Sequence, residues 1–209
     1  MDPSVLFKIG YGLYVLSAEE NGKDNGCIIN TLAQVTSSPC RVTITVNKQN
    51  LTHDMILRTG KFNAAILSEN AAFLTFQRFG FQSGRNAEKF YAANTVERTA
   101  NGILVWKDGV NAFLSGQVIS TVDLGTHTLF LADVTDGRIF DPRTPSATYA
   151  FYHQNIKPQP KTSASVSDGK IRFRCRICGH IHESDSETLP ADYVCPLCKH
   201  GPEDFERID

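Results

Sequence analysis

Four cysteines in the last part of the sequence have the spacing of metal ligands. Cys175 and Cys178 form one C-x-x-C pair, and Cys195 and Cys198 form a second pair after residues 179–194. Each pair allows a tight turn that directs both sulfurs toward one point. Four thiolates can then bind a single metal ion in a tetrahedral arrangement. The spacing therefore predicts a metal site, although zinc and iron both accept four thiolates.

The residues around these cysteines discriminate between the two metals. Residues 189–198 read Leu-Pro-Ala-Asp-Tyr-Val-Cys-Pro-Leu-Cys, and Phe173 and Phe205 flank the cysteine pairs. Over residues 170–209 the sequence resembles rubredoxin, a one-iron electron carrier, with the shorter loop typical of the related domain of rubrerythrins. The resemblance implies iron at the four cysteines. Phe173, Tyr193 and Phe205 are expected to form the small core, and the metal stabilises a segment too short to fold well alone.

Two positions depart from the rubredoxin pattern. His180 stands where a tyrosine is usual, and Lys199 stands where the second cysteine turn usually has glycine. That glycine has a left-handed backbone, so we expect Lys199 to cost up to about 1 kcal/mol there. Iron bound by four thiolates changes oxidation state with little change of geometry, and hydrogen bonds to the sulfurs tune its potential. Such a site transfers one electron at a time.

The composition is that of an ordinary globular protein. The 209 residues are 41% hydrophobic and 21% charged, with a formal net charge of −1, so no basic character points to nucleic acid. The sequence has no run of eighteen apolar residues and no signal-peptide pattern at its start, which argues against a membrane segment. Thiols that serve as metal ligands indicate the cytoplasm. Cys27 and Cys40 are expected as small buried hydrophobic residues.

The first three quarters of the chain are predicted to be mainly β. Alternating apolar residues indicate strands, and helix-type spacing between Asn50 as N-cap and Gly60 as stop indicates a short helix. The predicted strands cover residues 12–17, 27–30, 41–46, 62–67, 103–106, 111–122 and 127–140. The predicted helices cover residues 2–9, 51–59, 70–79, 86–92 and 145–153. Turns are expected within 21–26 and 123–125, at Asp108-Gly109 and at Asp136-Gly137.

These elements predict a domain organisation. Many strands joined by few, short helices favour a closed or partly closed antiparallel barrel. We expect this barrel over residues 1–156, a linker over 157–170 and the small metal-stabilised domain over 171–209. The linker begins with prolines and ends with small polar residues, and it spans roughly 20 Å if it is flexible throughout.

One polar run interrupts the otherwise apolar strands. It extends from Asn30 to Pro39 and is rich in Thr, Ser and Gln. Such a run either leaves the barrel as a loop or lines a ligand with backbone amides and hydroxyls, and the residues alone leave both possibilities open. The first 155 residues contain no Walker phosphate-binding motif and no complete dinucleotide-binding glycine pattern.

Four segments resemble one known family. They are the polar run with its preceding residues 25–29, Asn-Lys-x-x-x-Thr-His-Asp-Met-Ile at 47–56, Phe-Gly-Phe-Gln-Ser-Gly-Arg at 79–85, and Asp-Leu-Gly-Thr-His-Thr-Leu-Phe at 123–130. In this order they are similar to the flavin reductase-like family, whose members have an FMN-binding split β-barrel. The similarity spans residues 1–155. It implies a flavin in the barrel and predicts the following contacts.

The resemblance assigns most of the predicted flavin contacts to two regions. The polar run is expected around the flavin ring and ribityl chain through Asn30, Thr31, Gln34, Val35, Thr36 and Ser37. A second group lies near the phosphate, at a helix N-terminus, and comprises Asn47, Lys48, Thr52 and His53. Backbone amides and the helix dipole favour a phosphate dianion at such a position.

The resemblance implies four further site residues. Ser83 and Arg85 are expected to contact the phosphate or another part of the cofactor, and a surface arginine on a turn is the alternative for Arg85. Tyr152 is expected over the flavin ring or in the core. His127 is expected near the flavin, where it assists nicotinamide docking or stabilises negative charge on the reduced ring. A structural histidine is the alternative there.

The fusion of such a barrel with a rubredoxin-like domain resembles the high-molecular-weight rubredoxins of anaerobes. It implies electron flow from NAD(P)H to FMN, then to the iron, and then to an acceptor such as a flavodiiron protein that reduces oxygen or nitric oxide. A flavin links these steps because it accepts a hydride and releases electrons singly. The resemblance also implies a homodimer.

Two alternatives to this function remain open. One is a flavin reductase that supplies reduced FMN to a monooxygenase and has a zinc-binding tail. The other is a redox-sensing module that binds flavin and metal without turnover. The sequence contains no ribose-reading motif that chooses between NADH and NADPH.

Overall fold

A computed structural model of the protein describes residues 2, 5, 8–91, 93–158 and 170–208. The chain divides into two compact units, Met1–Ile156 and Lys157–Asp209. Part of the predicted helix over 2–9 and most of the predicted linker over 157–170 lie outside the described residues.

The first unit consists mainly of β-strands. Its described strands are β1 (Tyr14–Glu20), β2 (Lys23–Ile29), β3 (Ala33–Ser37), β4 (Cys40–Asn47), β5 (Lys61–Leu67), β6 (Val96–Arg98), β7 (Leu104–Trp106), β8 (Val110–Asp123) and β9 (His127–Ile139). Its described helices are α1 (Leu51–Thr59), α2 (Phe73–Gly80) and α3 (Tyr149–Phe151), with a 3₁₀ turn at Ala93–Thr95 and a wide helical turn at Tyr152–Ile156. Over the residues that the structure describes, no helix is long and apolar enough to cross a membrane.

Seven of these strands form one antiparallel sheet in the order β2-β1-β5-β8-β9-β4-β3, and β6 and β7 form a separate ribbon. The hairpin from β1 to β2 turns at Asn21 and Gly22, whose φ values of 53° and 81° are those that a tight two-residue turn requires. The predicted hairpin is therefore confirmed. Strands β8 and β9 are long and pair along most of their length.

The sheet is rolled around helix α1. In β4 the apolar residues Val42, Ile44 and Val46 are buried and alternate with partly exposed threonines, as the sequence pattern predicted. They share one core cluster with Ile29 of β2, although β2 lies at the far side of the sheet order, and with Met55 of α1. Strands from both sides of the sheet can meet in one core only if the sheet curls. The predicted mainly β barrel is confirmed.

A second core covers the other face of the sheet. Phe76 and Phe79 of α2 pack there with Trp106 of β7 and Phe113 of β8. This cluster holds α2 and the following segment against β2 and β5. The two cores together fix the positions of the two helices that border the candidate flavin site.

Several predicted elements are wrong in detail. The described part of 86–92 contains no helix, because Lys89 and Phe90 are buried by tertiary contacts: the Lys89 ammonium donates to the carbonyls of Gly26 and Phe79, at 2.9 and 3.4 Å. Helix α2 begins at residue 73 rather than 70, and the helix predicted over 145–153 begins at 149. Propensity did not decide these segments, since packing overrides it.

The turn predicted at Asp136-Gly137 is also wrong. Strand β9 continues through these residues to Ile139, and the register with β8 shifts next to Gly116. The extra residue forms a β-bulge, which bends a strand without ending it. Asn50 occupies the N-cap position of α1 as predicted, but its side chain makes no capping hydrogen bond, while Gly60 ends the helix with a left-handed φ of 69°.

The second unit contains a three-stranded sheet in the order β11-β10-β12. Its strands are β10 (Ile171–Cys175), β11 (Ile181–Ser184) and β12 (Phe205–Arg207). Phe173 is buried, and the Tyr193 ring lies 5.3 Å from that of Phe205 in an edge-to-face contact. The Tyr193 ring also packs against His182, at 4.5 Å. The predicted aromatic core is present.

Lys199 has a φ of 65°, so the left-handed backbone expected at this position is confirmed. We expect Lys199→Gly to raise the stability of the metal-loaded second unit by up to about 1 kcal/mol, because glycine adopts this φ without steric cost. The readout is the denaturant midpoint at which the visible absorption of the metal site is lost. Glu187→Gly, at an exposed position where φ is not positive, is the control and should leave the midpoint unchanged or lower it. An unchanged midpoint in Lys199→Gly would contradict the prediction.

Candidate functional site

The four cysteines predicted as metal ligands converge. The sulfurs of Cys175, Cys178, Cys195 and Cys198 all lie within 4.8 Å of one another, and all four residues are buried. The Sγ atoms of Cys175 and Cys198 are 3.5 Å apart, and those of Cys178 and Cys195 are 3.6 Å apart. Metal–sulfur bonds of about 2.3 Å in a tetrahedron place the sulfurs roughly 3.8 Å apart. The donor set therefore fits one thiolate-bound metal ion.

Two matching turns position the sulfurs. In the first turn the N–H of Gly179 donates to the carbonyl of Cys175 at 2.8 Å, and in the second the N–H of Lys199 donates to the carbonyl of Cys195 at 3.0 Å. Gly179 and Lys199 both have positive φ. The two C-x-x-C pairs thus adopt the same local fold, and the backbone rather than the surrounding side chains brings the thiols together.

The protonation of the site depends on a metal. Burial raises the pKa of Cys178 to about 12, and burial likewise raises the pKa of Cys198. Neighbouring cysteines at this distance oppose further negative charge. A bound metal ion stabilises the four thiolates instead, so metal binding must release protons.

The flavin contacts predicted on β4 and β9 lie at one end of the sheet. Asn47 and His127 are direct cross-strand partners, and the Thr31 hydroxyl donates to the Thr45 carbonyl at 2.6 Å. The structure therefore brings Thr31, Asn47 and His127 to the same end of the sheet. Asn30 precedes Thr31 and is partly buried.

Lys48 and His127 are tied to the turn between β8 and β9. The Lys48 ammonium lies 2.7 Å from an Asp123 carboxylate oxygen, and the Lys48 N–H donates to the Thr126 carbonyl. The Lys48 ammonium and the Gly125 N–H hold the pKa of Asp123 below its usual value. The Thr126 hydroxyl lies 2.9 Å from Nδ1 of His127. A partly exposed imidazole and a lysine thus border the same end of the sheet.

The polar run forms an edge strand. Residues Ala33–Ser37 are strand β3, which pairs with β4 on one side, and all five are exposed. The loop interpretation is therefore wrong for this segment, which includes Gln34, Val35, Thr36 and Ser37. The Thr36 hydroxyl donates to the Pro39 carbonyl at 2.6 Å. Cys27 is buried as predicted, whereas the prediction that Cys40 is buried is wrong, because it begins β4 beside this edge.

A cavity of about 220 Å³ lies at the N-terminus of α1. Its walls are the first turn of α1 and the segment after α2, and it is lined by Asn25, Cys27, Lys89 and residues 49–52 and 80–84. The first N–H groups of a helix have no i−4 partner within the helix; in α1 the His53 N–H donates to the Asn50 carbonyl at 3.1 Å, and the Asn50 side chain does not cap the N–H groups of Leu51 and Thr52. This cavity therefore combines backbone donors with the positive end of a helix dipole.

The cavity wall is closely packed. The Asn25 side-chain amide donates to the Thr52 hydroxyl at 2.9 Å, and both residues are buried. A Cβ atom added to Gly84 would lie 2.0 Å from Oδ1 of Asn25. Only glycine therefore lets the segment after α2 approach the first turn of α1 this closely.

Thr52 and His53 are near this cavity, but their side chains point into the protein. The His53 ring is buried, with Nδ1 3.0 Å from an Asp54 carboxylate oxygen and Nε2 2.9 Å from the Thr128 hydroxyl. It also meets the Phe130 ring edge-on at 5.7 Å. The His53 side chain supports the helix, and the backbone of the first turn is what remains for a ligand.

Ser83 and Arg85 lie beside α1, whereas Tyr152 lies in the second core. The Arg85 guanidinium is 2.7 Å from Asp54, and the Arg85 N–H donates to the Ser83 hydroxyl at 3.2 Å. The Tyr152 ring packs 4.3 Å from that of Phe76 and is buried. Of the two positions expected for Tyr152, the structure shows the core.

Sequence reasoning missed three residues at this site. Asn25 and Lys89 line the cavity, and Asp54 joins α1 to Arg85. Burial lowers the pKa of Lys89 to about 8. A lysine within the apolar stretch after residue 88 was the available signal for a buried ammonium. Asp54 stands inside the Thr-His-Asp motif, but its role depends on a long-range contact that spacing does not show.

Two known families match the chain. The flavin reductase like domain matches residues 6–160, and the rubrerythrin, rubredoxin-like domain matches residues 173–206. The first match covers well over half of the sequence and includes every strand of the rolled sheet.

Individual relatives agree with both matches. The chain is 32% identical to a high molecular weight rubredoxin of Moorella thermoacetica over the full length of both proteins. It is 33% identical to a ferric-chelate reductase (NAD(P)H) of Archaeoglobus fulgidus, over 79% of this chain and 97% of that protein. The NADH:FAD oxidoreductase SgcE6 of Streptomyces globisporus has a similar fold, with a TM-score of 0.60 at 20% identity over 69% of this chain and 84% of that one. The chain belongs to the flavin reductase-like family and has a rubredoxin-like domain at its C-terminal side.

Proposed function

We propose that the protein is an NAD(P)H-dependent oxidoreductase that passes electrons from NAD(P)H through FMN to iron bound by four cysteines, and then to a protein acceptor such as a flavodiiron protein. The observation that carries this proposal is the convergence of four buried thiols in the same chain as a flavin reductase-like barrel. The relative of M. thermoacetica, a high molecular weight rubredoxin, has matching full-length organisation. The ferric-chelate reductase relative supports NAD(P)H as the reductant.

When bound, the flavin supplies the change from a two-electron hydride donor to single-electron transfer. The protein's own groups bind and orient it. The first turn of α1 and residues 83–84 offer backbone donors for the phosphate, and the exposed strand β3 offers an amide edge for the ring and ribityl chain. Strand β3 makes the fit possible because its free edge is not paired within the described part of the sheet.

His127 is proposed to act at the flavin from the end of β9. Its ring is partly exposed, and Nδ1 contacts the Thr126 hydroxyl, which leaves Nε2 to face a ligand. An imidazole there can donate a hydrogen bond to a group that gains negative charge on reduction. Lys48 adds a nearby positive charge, partly balanced by Asp123.

We further propose a homodimer in the cytoplasm. The exposed edge strand β3, and separately the exposed apolar side chains of Ile119 and Val122 on β8, support contact with a second copy. An unpaired edge strand presents backbone N–H and C=O groups that favour pairing with another chain. The cytoplasm keeps thiols reduced, which the four converging cysteines need in order to bind a metal ion.

A visible spectrum recorded without air tests the proposed function. The purified protein should show flavin and ferric-thiolate absorption, and NADH or NADPH should bleach both. Loss of the flavin bands alone would show that electrons do not reach the metal. A yellow protein that contains zinc would instead identify a flavin reductase with a structural metal, since four thiolates accept zinc equally well.

Cys198→Ser should separate the two halves of the reaction. Removal of one thiolate disrupts the four-sulfur site, so reduction of the flavodiiron acceptor should be abolished while NAD(P)H still reduces the flavin within about twofold of the wild-type rate. Stopped-flow absorbance measures the first step and acceptor turnover the second. Thr188→Ser, which changes an exposed side chain of the second unit outside the cluster, is the control and should affect neither. Normal acceptor reduction by Cys198→Ser would show that the metal is not on the path.

Gly84→Ala should weaken FMN binding. The added methyl group meets Asn25 and forces residues 83–85 away from α1. Overpacking of this kind costs about 1–3 kcal/mol, and the same cost in binding lowers affinity roughly five- to 150-fold. Quenching of flavin fluorescence gives the dissociation constant. Gly10→Ala, with no atom within 4 Å of the added carbon, is the control. A folded Gly84→Ala protein with unchanged FMN affinity would argue against a phosphate at this cavity.

A further inference from the structure

Four polar side chains form a continuous chain between the two halves of the candidate flavin site. The Arg85 guanidinium contacts one carboxylate oxygen of Asp54 at 2.7 Å, and the other oxygen contacts Nδ1 of His53 at 3.0 Å. Nε2 of His53 contacts the Thr128 hydroxyl at 2.9 Å. Thr128 directly follows His127 on β9. Within this chain, Asp54 contacts both the exposed Arg85 guanidinium and the buried His53 ring.

Asp54 occupies the end of α1 that borders the cavity. It stands in the first turn of the helix, one turn of about 5 Å from Leu51, which lines the cavity. Arg85 directly follows Ser83 and Gly84, which line the opposite wall. The Arg85 side chain is about half exposed, at 51%, so it can reorient without disturbing the core.

The charges at this end of α1 oppose one another. Arg85 and His53 hold the pKa of Asp54 below its usual value, the His53 hydrogen bond having the largest effect, so Asp54 is a carboxylate at neutral pH. A carboxylate in the first turn repels a phosphate at the same helix end. It also binds one guanidinium nitrogen of Arg85, which could otherwise donate to that phosphate.

The other charged groups near this helix end are already engaged. The Lys89 ammonium donates to the Gly26 and Phe79 carbonyls, and the Lys48 ammonium pairs with Asp123. Glu20, which lies within electrostatic range of Asp54, pairs with Arg58 through two hydrogen bonds. Arg85 is therefore the exposed cation at this end whose partner, Asp54, competes directly with a phosphate.

We infer that Asp54 is a positioning residue that sets how strongly the site prefers a phosphorylated flavin over an unphosphorylated one, by holding Arg85 until a phosphate competes for it. This inference rests on the proposed function, because it requires a flavin phosphate at the α1 cavity. Without phosphate, Arg85 pairs with Asp54. With phosphate at the first turn of α1, Arg85 turns toward it, and Asp54 keeps its contact with His53.

Loss of the Asp54 charge should raise FMN affinity relative to riboflavin affinity, whereas loss of a merely structural residue should not. Asp54→Asn keeps a side chain of the same size that can still bond to His53, but it removes the repulsion and frees Arg85. FMN affinity should rise roughly three- to tenfold relative to riboflavin affinity, the effect of one unit charge several ångströms away in a partly solvated site. Arg85→Gln should lower the same ratio by a similar factor. A structural defect would weaken both flavins together.

The experiment measures dissociation constants of FMN and riboflavin for the full-length, iron-loaded protein by flavin fluorescence quenching. It compares wild type, Asp54→Asn, Arg85→Gln, the double variant and Asp54→Glu. The ratio of the riboflavin constant to the FMN constant should rise in Asp54→Asn, fall in Arg85→Gln and return close to the wild-type ratio in Asp54→Glu. In the double variant Asp54→Asn/Arg85→Gln, no Arg85 is freed to bind the phosphate, so this part of the increase in the ratio should be absent. A double-mutant cycle detects the difference.

Glu97→Gln is the matched control, because Glu97 pairs with Arg138 and Lys107 away from the cavity. It should leave the ratio unchanged. A ratio in Asp54→Asn that stays within twofold of wild type or falls would overturn the inference, even if both affinities change. An unchanged ratio in Arg85→Gln would also overturn the inference, because Arg85 is exposed and its substitution is not expected to cause misfolding. Failure of the proposed function looks different: the protein would bind FMN with the expected ratios but not pass its electrons to the metal.

Discussion

Four buried sulfurs within 4.8 Å of one another cannot all be thiolates unless a cation lies among them. Burial raises the pKa of Cys178 and of Cys198, whereas at Cys195 burial is outweighed by hydrogen bonds from the backbone and from neighbouring thiols, which lower the pKa. The described residues of the second unit form three short strands and a few aromatic contacts, a core too small to be stable by hydrophobic burial alone. The metal–sulfur bonds therefore stabilise the second unit, so metal binding and folding of this unit are coupled.

In the first unit, the barrel holds the N-terminus of α1 in place and leaves backbone N–H groups of its first turn accessible. Helix α1 is anchored by Met55 and Ile56 in the first core, and Thr52 and His53 fix its first turn through buried hydrogen bonds. Leaving these two polar side chains unpaired would cost about 1–3 kcal/mol each. Because Asn25 and Thr128 satisfy them, the helix end can be rigid and still present its backbone donors to a ligand. Preorganised donors of this kind lose little entropy on binding.

The features that sequence predicted are those set by local spacing or backbone geometry. The cysteine pairs, the alternation in β4, the stop at Gly60 and the left-handed Lys199 all depend on residues within a few positions. The failures depend on distant contacts. Residues 86–91 are not helical because Lys89 reaches Gly26, and Asp136-Gly137 does not turn because β8 continues to pair with it. Cys40 is exposed because β3 ends the sheet, which no local pattern reveals.

The predicted flavin contacts differ in whether their side chains are exposed or buried. The residues of β3 and His127 have exposed or partly exposed side chains, so a ligand can meet them directly. Thr52 and His53 are buried and can contribute only through the backbone that they position. A helix N-terminus binds an anion with N–H groups that every residue type except proline possesses. The side chains at such a site are therefore free to support the helix, so a resemblance in sequence there predicts residues that position the helix end rather than the atoms that contact a ligand.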